Sequence, residues 1–227
     1  RTSSENLGLS VFIFGLCLIY NVQARKIDFI KILFGTFLIG ISIDIRFNLI
    51  FSAVPIIGFI MLKKYDELKL FSIYVIFISA LAIGILIDSI FWGFYTNTFY
   101  QFYKFNMGEF NILNDFGIEP WWYYIAETIK TLSPLLSVVF LISIIYFWIK
   151  KPLDYLTLIT LFHFIILSLI GHKEIRYIFP IFIFAPVFII YLLDNINLTY
   201  ILKPTKIILI RSFIFFIGDK DLSLNSL

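Results

Sequence analysis

Apolar runs follow one another along this chain with only short polar breaks: Leu7–Val22, Phe29–Ile43, Phe47–Leu62, Leu70–Ile87, Leu132–Ile149, Leu153–Ile170, Tyr177–Leu193 and Ile207–Ile217. No water-soluble fold of 227 residues can hide them. Hydrophobic residues make up 60% of the chain, against about 45–50% in a soluble domain. Mean hydropathy is +0.95, so the bilayer must be the solvent. In lipid every backbone polar group has to be satisfied internally, which makes helices the expected form of these runs. The expected fold is therefore all-α: a polytopic transmembrane helical bundle, one transmembrane domain over residues 1–227. A span needs roughly 20 residues at about 1.5 Å each. Phe29–Ile43 and Phe47–Leu62 are short on that measure and are expected to form a tight hairpin that does not fully cross.

Orientation follows from Lys and Arg in the short loops. Alternate loops assign Arg25, Lys26, Lys31, Lys63, Lys64, Lys69, Lys150, Lys151, Lys203, Lys206 and Arg211 to one side. Arg1, Arg46, Lys104, Lys130, Lys173 and Arg176 go to the other. The larger set marks the cytoplasmic face. Asp88, the long segment 88–131 and the cluster His172–Arg176 then share the extracytoplasmic face. The long segment carries Trp92, Trp121 and Trp122 among many Tyr and Phe, and is expected to lie along the membrane interface. The sequon Asn197-Leu198-Thr199 falls on the cytoplasmic side and is discounted. The tail 195–227 has no assigned structure, and its polar end, Asp219–Leu227, reads as an aberrant or truncated terminus.

Several function classes are set aside at once. Cys17 is the single cysteine, so no internal disulfide or cysteine metal site is available. A net charge of +3, spread along the chain, offers no stripe for nucleic acid. No metal-ligand spacing, Ser-His-Asp arrangement or Gly-rich phosphate loop is present, and no cofactor is expected. His163 lies inside an apolar run and reads as a neutral, hydrogen-bonded imidazole. Asp44 and Arg46 read as a local ion pair capping the Phe29–Leu62 hairpin, and Pro55 and Pro186 as helix kinks.

The densest chemistry is Gly171-His172-Lys173-Glu174-Ile175-Arg176-Tyr177-Ile178-Phe179-Pro180. On a helix, Lys173 and Arg176 would share a face at i,i+3. With His172 they could grip a phosphate, Arg forking onto two oxygens while Glu174 balances the charge. The same pattern also fits a snorkelling helix end.

The stretch H-K-E-x-R-[FY]-x-x-P resembles the signature of glycosyltransferase family 22, the multispanning mannosyltransferases of N-glycan and GPI-anchor synthesis and their prokaryotic relatives. Upstream, Gly117-Ile118-Glu119-Pro120-Trp121-Trp122-Tyr123-Tyr124 resembles the family's G-x-x-P-W-x-x-Y. Asp88-Ser89-Ile90-Phe91-Trp92-Gly93 resembles D-x-x-[FY]-Y-G, with Trp92 in the Tyr place. Asn106 after Phe105 matches a following F-N, and Arg1-Thr2-Ser3-Ser4 resembles R-T-x-S. The likeness runs from Arg1 to about Leu193. Glu5 and Gly8 depart from it, standing where the family usually has Asn and Glu.

The resemblance implies an active site facing the lumen or exterior, in the endoplasmic reticulum or in a bacterial inner membrane. It implies a polyprenyl-phosphate-linked sugar donor, typically dolichyl-phosphate mannose, and a glycan or glycolipid acceptor. Donor-phosphate binding falls to His172, Lys173, Glu174 and Arg176. Acceptor or sugar binding falls to Asp88, Trp121 and Tyr124. The family's general base is an acidic residue of the first extracytoplasmic loop, expected before Arg1, with Asp88 the outside candidate. The chain is accordingly expected to be the C-terminal portion of a larger protein and inactive alone. A transporter and a non-catalytic remnant are the competing readings. A transporter calls for polar or broken helices near the midplane, whereas here polar residues gather at one rim.

The topology makes a direct prediction. Cysteines placed at Glu109 and at Lys150 should label from opposite faces of intact vesicles, and labelling from one face would overturn the assignment.

Overall fold

The computed structural model describes residues 4–20, 26–62, 65–97, 100–101, 104, 118–131 and 133–196. Arg1–Ser3, Asn106, Gly117, the sequon at Asn197, the run Ile207–Ile217 and the rest of the tail beyond Ile196 lie outside the described residues. Among those described, all regular structure is helical. The order is α1 (Ser4–Tyr20), α2 (Lys26–Ile45), a 3-10 turn at Phe47–Leu49, α3 (Ile50–Leu62), α4 (Glu67–Trp92), α5 (Tyr123–Thr131), α6 (Pro134–Lys150), α7 (Tyr155–Leu169), a 3-10 turn at Ile175–Ile178, α8 (Phe179–Phe182) and α9 (Ala185–Asn195). The all-α expectation holds.

Local chemistry sets the helix ends. Ser133 precedes α6 and accepts a hydrogen bond from the Leu136 N–H, with Pro134 at the first helical position. Asp154 caps α7 by accepting from the Leu156 N–H at 3.0 Å. Gly93, at φ +73°, closes α4 in the left-handed conformation that a Cβ disfavours.

Among the described residues, α4 alone is long and apolar enough to cross a membrane by itself. Two bent pairs pass the same test taken together: α6 with α7, at 118°, and Ile175–Phe182 with Ala185–Asn195, at 49°. In the second pair Pro186 stands in the first turn of α9, where its missing N–H cannot continue a preceding helix. Pro55, by contrast, lies inside α3.

The expected Phe29–Leu62 hairpin does not form. α2 packs between α1 and α4, while α3 turns away to pack on α7. Missing side chains explain the choice. A Cβ on Gly15 would stand 2.8 Å from the Gly35 carbonyl oxygen, and one on Gly35 2.7 Å from that of Gly15. On the α4 side of the same helix, a Cβ on Gly40 would stand 2.5 Å from the Ala80 Cβ. Backbones that approach this closely gain dispersion contacts, the main source of helix association where lipid competes equally for apolar surface. α6 instead packs on α9 through rings, with Phe147 centroids 5.0 Å from Phe188 and 4.9 Å from Tyr191. Among the described residues α4 fully buries Ile73 and Ala80 and packs Phe77 and Leu81 against the core, while Leu68, Phe71, Leu86, Ile87, Ile90 and Phe91 are exposed.

Gly35→Leu should therefore force α1 and α2 apart and destabilise the fold by about 1–3 kcal/mol, the usual scale of overpacking. Gly58→Leu is the control, since a Cβ there meets nothing within 4 Å. Thermal unfolding in detergent should separate the two variants, and equal midpoints would refute the close-packing account.

Candidate functional site

The polar residues meet at one end of the bundle. After α7 the chain leaves the helical conformation at Ile170 (ψ 133°) and is extended at Glu174 (φ −131°, ψ 140°). Helical backbone resumes only at Ile175. Lys173 and Arg176 consequently do not share a helix face. Lys173 is buried at 6% exposure, and its ammonium donates to the carbonyls of Glu119 (2.8 Å) and Ile170 (2.5 Å). The Glu119 N–H donates in turn to the Gly171 carbonyl at 3.1 Å. These bonds lace the Glu119-Pro120-Trp121 segment to the Gly171–Lys173 loop, so two distant motifs become neighbours. Burial pushes the Lys173 pKa below its ordinary value, and the Glu119 charge opposes that shift.

Arg176 points the other way and is half exposed. Its Nε donates to Glu174 Oε2, and His172 Nε2 lies 3.3 Å from Glu174 Oε1. Partial burial of Glu174 opposes its ionisation. The hydrogen bonds from Arg176 and His172 outweigh that effect and hold its pKa below the usual glutamate value.

The turn bearing Arg176 is fixed from beneath. The Tyr177 carbonyl accepts from His163 Nε2 at 2.8 Å and from Asn48 Nδ2 at 3.4 Å. A carbonyl only accepts, so Nε2 carries the hydrogen. Nδ1 then accepts from the Ser52 hydroxyl at 2.9 Å. His163 is fully buried and is the neutral, doubly bonded imidazole expected of it.

Two residues outside the site expected from the sequence complete the rim. Arg46 does not pair with Asp44. Its guanidinium lies 2.5 Å from Glu5 Oε1, and Arg176 Nη1 lies 3.8 Å from the same oxygen. Asp44 instead rests against Gly84 and lines a groove between α2 and α4 with Phe47, Ile87 and Asp88. Asp88 sits within the last turns of α4, before its end at Trp92. The sequence marked Glu5 only as a departure from the family pattern and Arg46 only as a local partner of Asp44, because pairing across separate helices leaves no mark in the sequence.

The remaining candidates separate by exposure. Trp121 is 65% exposed and Trp122 50%, whereas Tyr124 is 1% exposed. The Tyr124 ring packs edge-on against Tyr123 at 5.4 Å. Tyr124 is thus a packing residue in this arrangement, and Trp121 offers the free aromatic face.

The sequence profile of the Alg9-like mannosyltransferase family matches residues 2–219. GPI alpha-1,2-mannosyltransferase 3 of Danio rerio is 31% identical over 154 residues, which is 66% of this chain and 28% of that protein. GPI mannosyltransferase 3 of Candida albicans is 38% identical over 101 residues, 44% of this chain and 19% of that protein. A probable Dol-P-Man:Man(7)GlcNAc(2)-PP-Dol alpha-1,6-mannosyltransferase of Schizosaccharomyces pombe is 33% identical over 102 residues, 44% of this chain and 18% of that protein. The matched stretches span less than a third of these curated relatives. No solved structure matches significantly. With its helical fold and the motifs gathered at one end of the bundle, the chain belongs to the Alg9-like mannosyltransferase family.

Proposed function

We propose that the chain serves mannosyl transfer from a polyprenyl-phosphate donor to a glycan or glycolipid acceptor, with Arg176 as the principal contact for the donor phosphate. One observation carries this reading. Arg176 alone of the His172–Arg176 cluster presents a half-exposed guanidinium, and Glu174 holds that guanidinium in place. A planar fork of this kind matches phosphate oxygens. Lys173 serves the site indirectly, by tying the Glu119 segment to the loop. The likeness to enzymes named for GPI and Dol-P-Man substrates favours mannose as the sugar and the lumenal face of the endoplasmic reticulum as the setting.

In such a transfer an acceptor hydroxyl attacks the anomeric carbon and gives its proton to a carboxylate. The bond from that carbon to the lipid phosphate breaks, and cationic groups stabilise the departing charge. Arg176 takes the second task. Asp88, half-buried at the α2–α4 groove, and Trp121 belong to the acceptor or sugar side of this reading. The middle of α7 carries no ionisable group but His163, and the polar motif residues lie at a rim, which favours an enzyme over a transporter.

Arg176→Ala should weaken donor binding roughly tenfold to a hundredfold, the scale of a charge-assisted hydrogen bond at about 1.5–3 kcal/mol. Arg176→Lys keeps the charge without the fork and should fall between Ala and wild type. Normal donor affinity in both, with normal folding, would reduce the cluster to a snorkelling helix end.

The pH dependence has a defined sign. The folded pKa of Glu174 is depressed, so its pairing is fully present above the ordinary value of 4.5 and is lost as pH falls through the lowered value. Donor binding measured against pH should stay flat near neutrality and decline only below 4.5. A decline already under way between pH 7 and 5 would refute the Glu174 account.

A further inference from the structure

Glu5 lies in the first turn of α1, with a side chain only 13% exposed, and one of its carboxylate oxygens faces two guanidinium groups from different parts of the fold. Arg46 comes from the break between α2 and the Phe47–Leu49 turn, and Arg176 from the turn after α7. The cleft they border is walled by Leu9, Leu49, Phe179 and Pro180. We propose that Glu5 occupies the anion seat of a lipid-linked phosphate, so that Arg46 is a second guanidinium for that phosphate and Glu5 a built-in competitor. The proposal rests on the donor-site reading of Arg176 and extends it.

The anion here touches one guanidinium at 2.5 Å and has a second at 3.8 Å, and a phosphate, with more oxygens than a carboxylate, can engage both planar groups. The walls add a second requirement. Four apolar side chains beside a paired charge favour an amphiphile over a free inorganic ion. Charge balance explains why the seat is filled. Arg46 and Arg176 are matched by Glu5 and Glu174, so an incoming phosphate would leave the cluster with surplus negative charge unless Glu5 withdraws. Glu5 has somewhere to go, because backbone N–H groups at the start of a helix favour a carboxylate. Ligand entry is then an exchange of one anion for another, which keeps both arginines neutralised when the seat is empty of lipid.

The test uses the full chain in lipid nanodiscs, with binding of a polyprenyl phosphate compared with that of inorganic phosphate and of the uncharged polyprenol. Glu5→Gln is nearly isosteric and should tighten polyprenyl phosphate binding about tenfold, the scale of one charge-assisted hydrogen bond. Arg46→Gln should loosen it by a similar factor. Inorganic phosphate and polyprenol should each bind more weakly than polyprenyl phosphate. Unchanged or weaker binding by Glu5→Gln overturns the proposal, and this variant decides the matter if Arg46→Gln fails to fold. Equal affinity for inorganic phosphate overturns the lipid assignment, and equal affinity for polyprenol overturns the anion seat. If Arg176→Ala weakens binding while the Glu5 and Arg46 variants leave it unchanged, the donor-site reading survives and this proposal falls. If all three variants bind as wild type, both fall.

Discussion

In an apolar medium an unpaired backbone carbonyl is costly, and the chain meets that constraint most pointedly at Tyr177. Its carbonyl sits where the backbone has left one helix and not yet entered the next. Two side chains from different helices supply the missing donors: His163 of α7 and Asn48 beside α3. The same bonds therefore join α3, α7 and the Arg176 turn into one unit. Lys173 solves the mirror problem on the other side of the loop, spending its ammonium on the carbonyls of Glu119 and Ile170. A buried lysine is expensive unless its donors are used. Here the use also recruits the Trp121 segment to the rim.

The bundle is held by two different kinds of contact. α1, α2 and α4 approach through Gly15, Gly35 and Gly40, where absent side chains let backbones touch. α6 and α9 meet through Phe147, Phe188 and Tyr191, with Lys151 lying 4.9 Å from the Tyr191 ring centroid at the end opposite the charged rim. The glycine contacts fix α1 on α2, so they also bring Glu5 within reach of Arg46. Packing that carries no charge thus decides which charges meet.

The helical class could be read directly from the apolar runs, because in lipid hydrophobicity and helix formation are the same requirement. His163 could be read for the same reason: an imidazole in such a run has to find partners. What could not be read is partner choice. The Phe29–Leu62 hairpin was a reasonable inference from chain proximity, but the Gly35 and Gly40 surfaces face α1 and α4, and nothing in a linear sequence says which helices come near. The Lys173–Arg176 face failed for a different reason. Its i,i+3 geometry presumes helix, and the backbone at Glu174 is extended. The supposed Asp44–Arg46 pair failed because Glu5, more than a helix away in sequence, offers Arg46 a closer carboxylate.

α4 has 26 residues, a length of about 39 Å at about 1.5 Å per residue, against roughly 30 Å of hydrocarbon in an average bilayer. Such an excess is absorbed by tilting or by letting one end protrude. Asp88 stands near the end, and among the described elements α2 is the one that packs extensively on this helix. The depth of that carboxylate is therefore coupled to membrane thickness. A thick bilayer draws it toward the hydrocarbon and a thin one lifts it into water, so the lipid composition of a compartment sets how far that carboxylate stands from the interface.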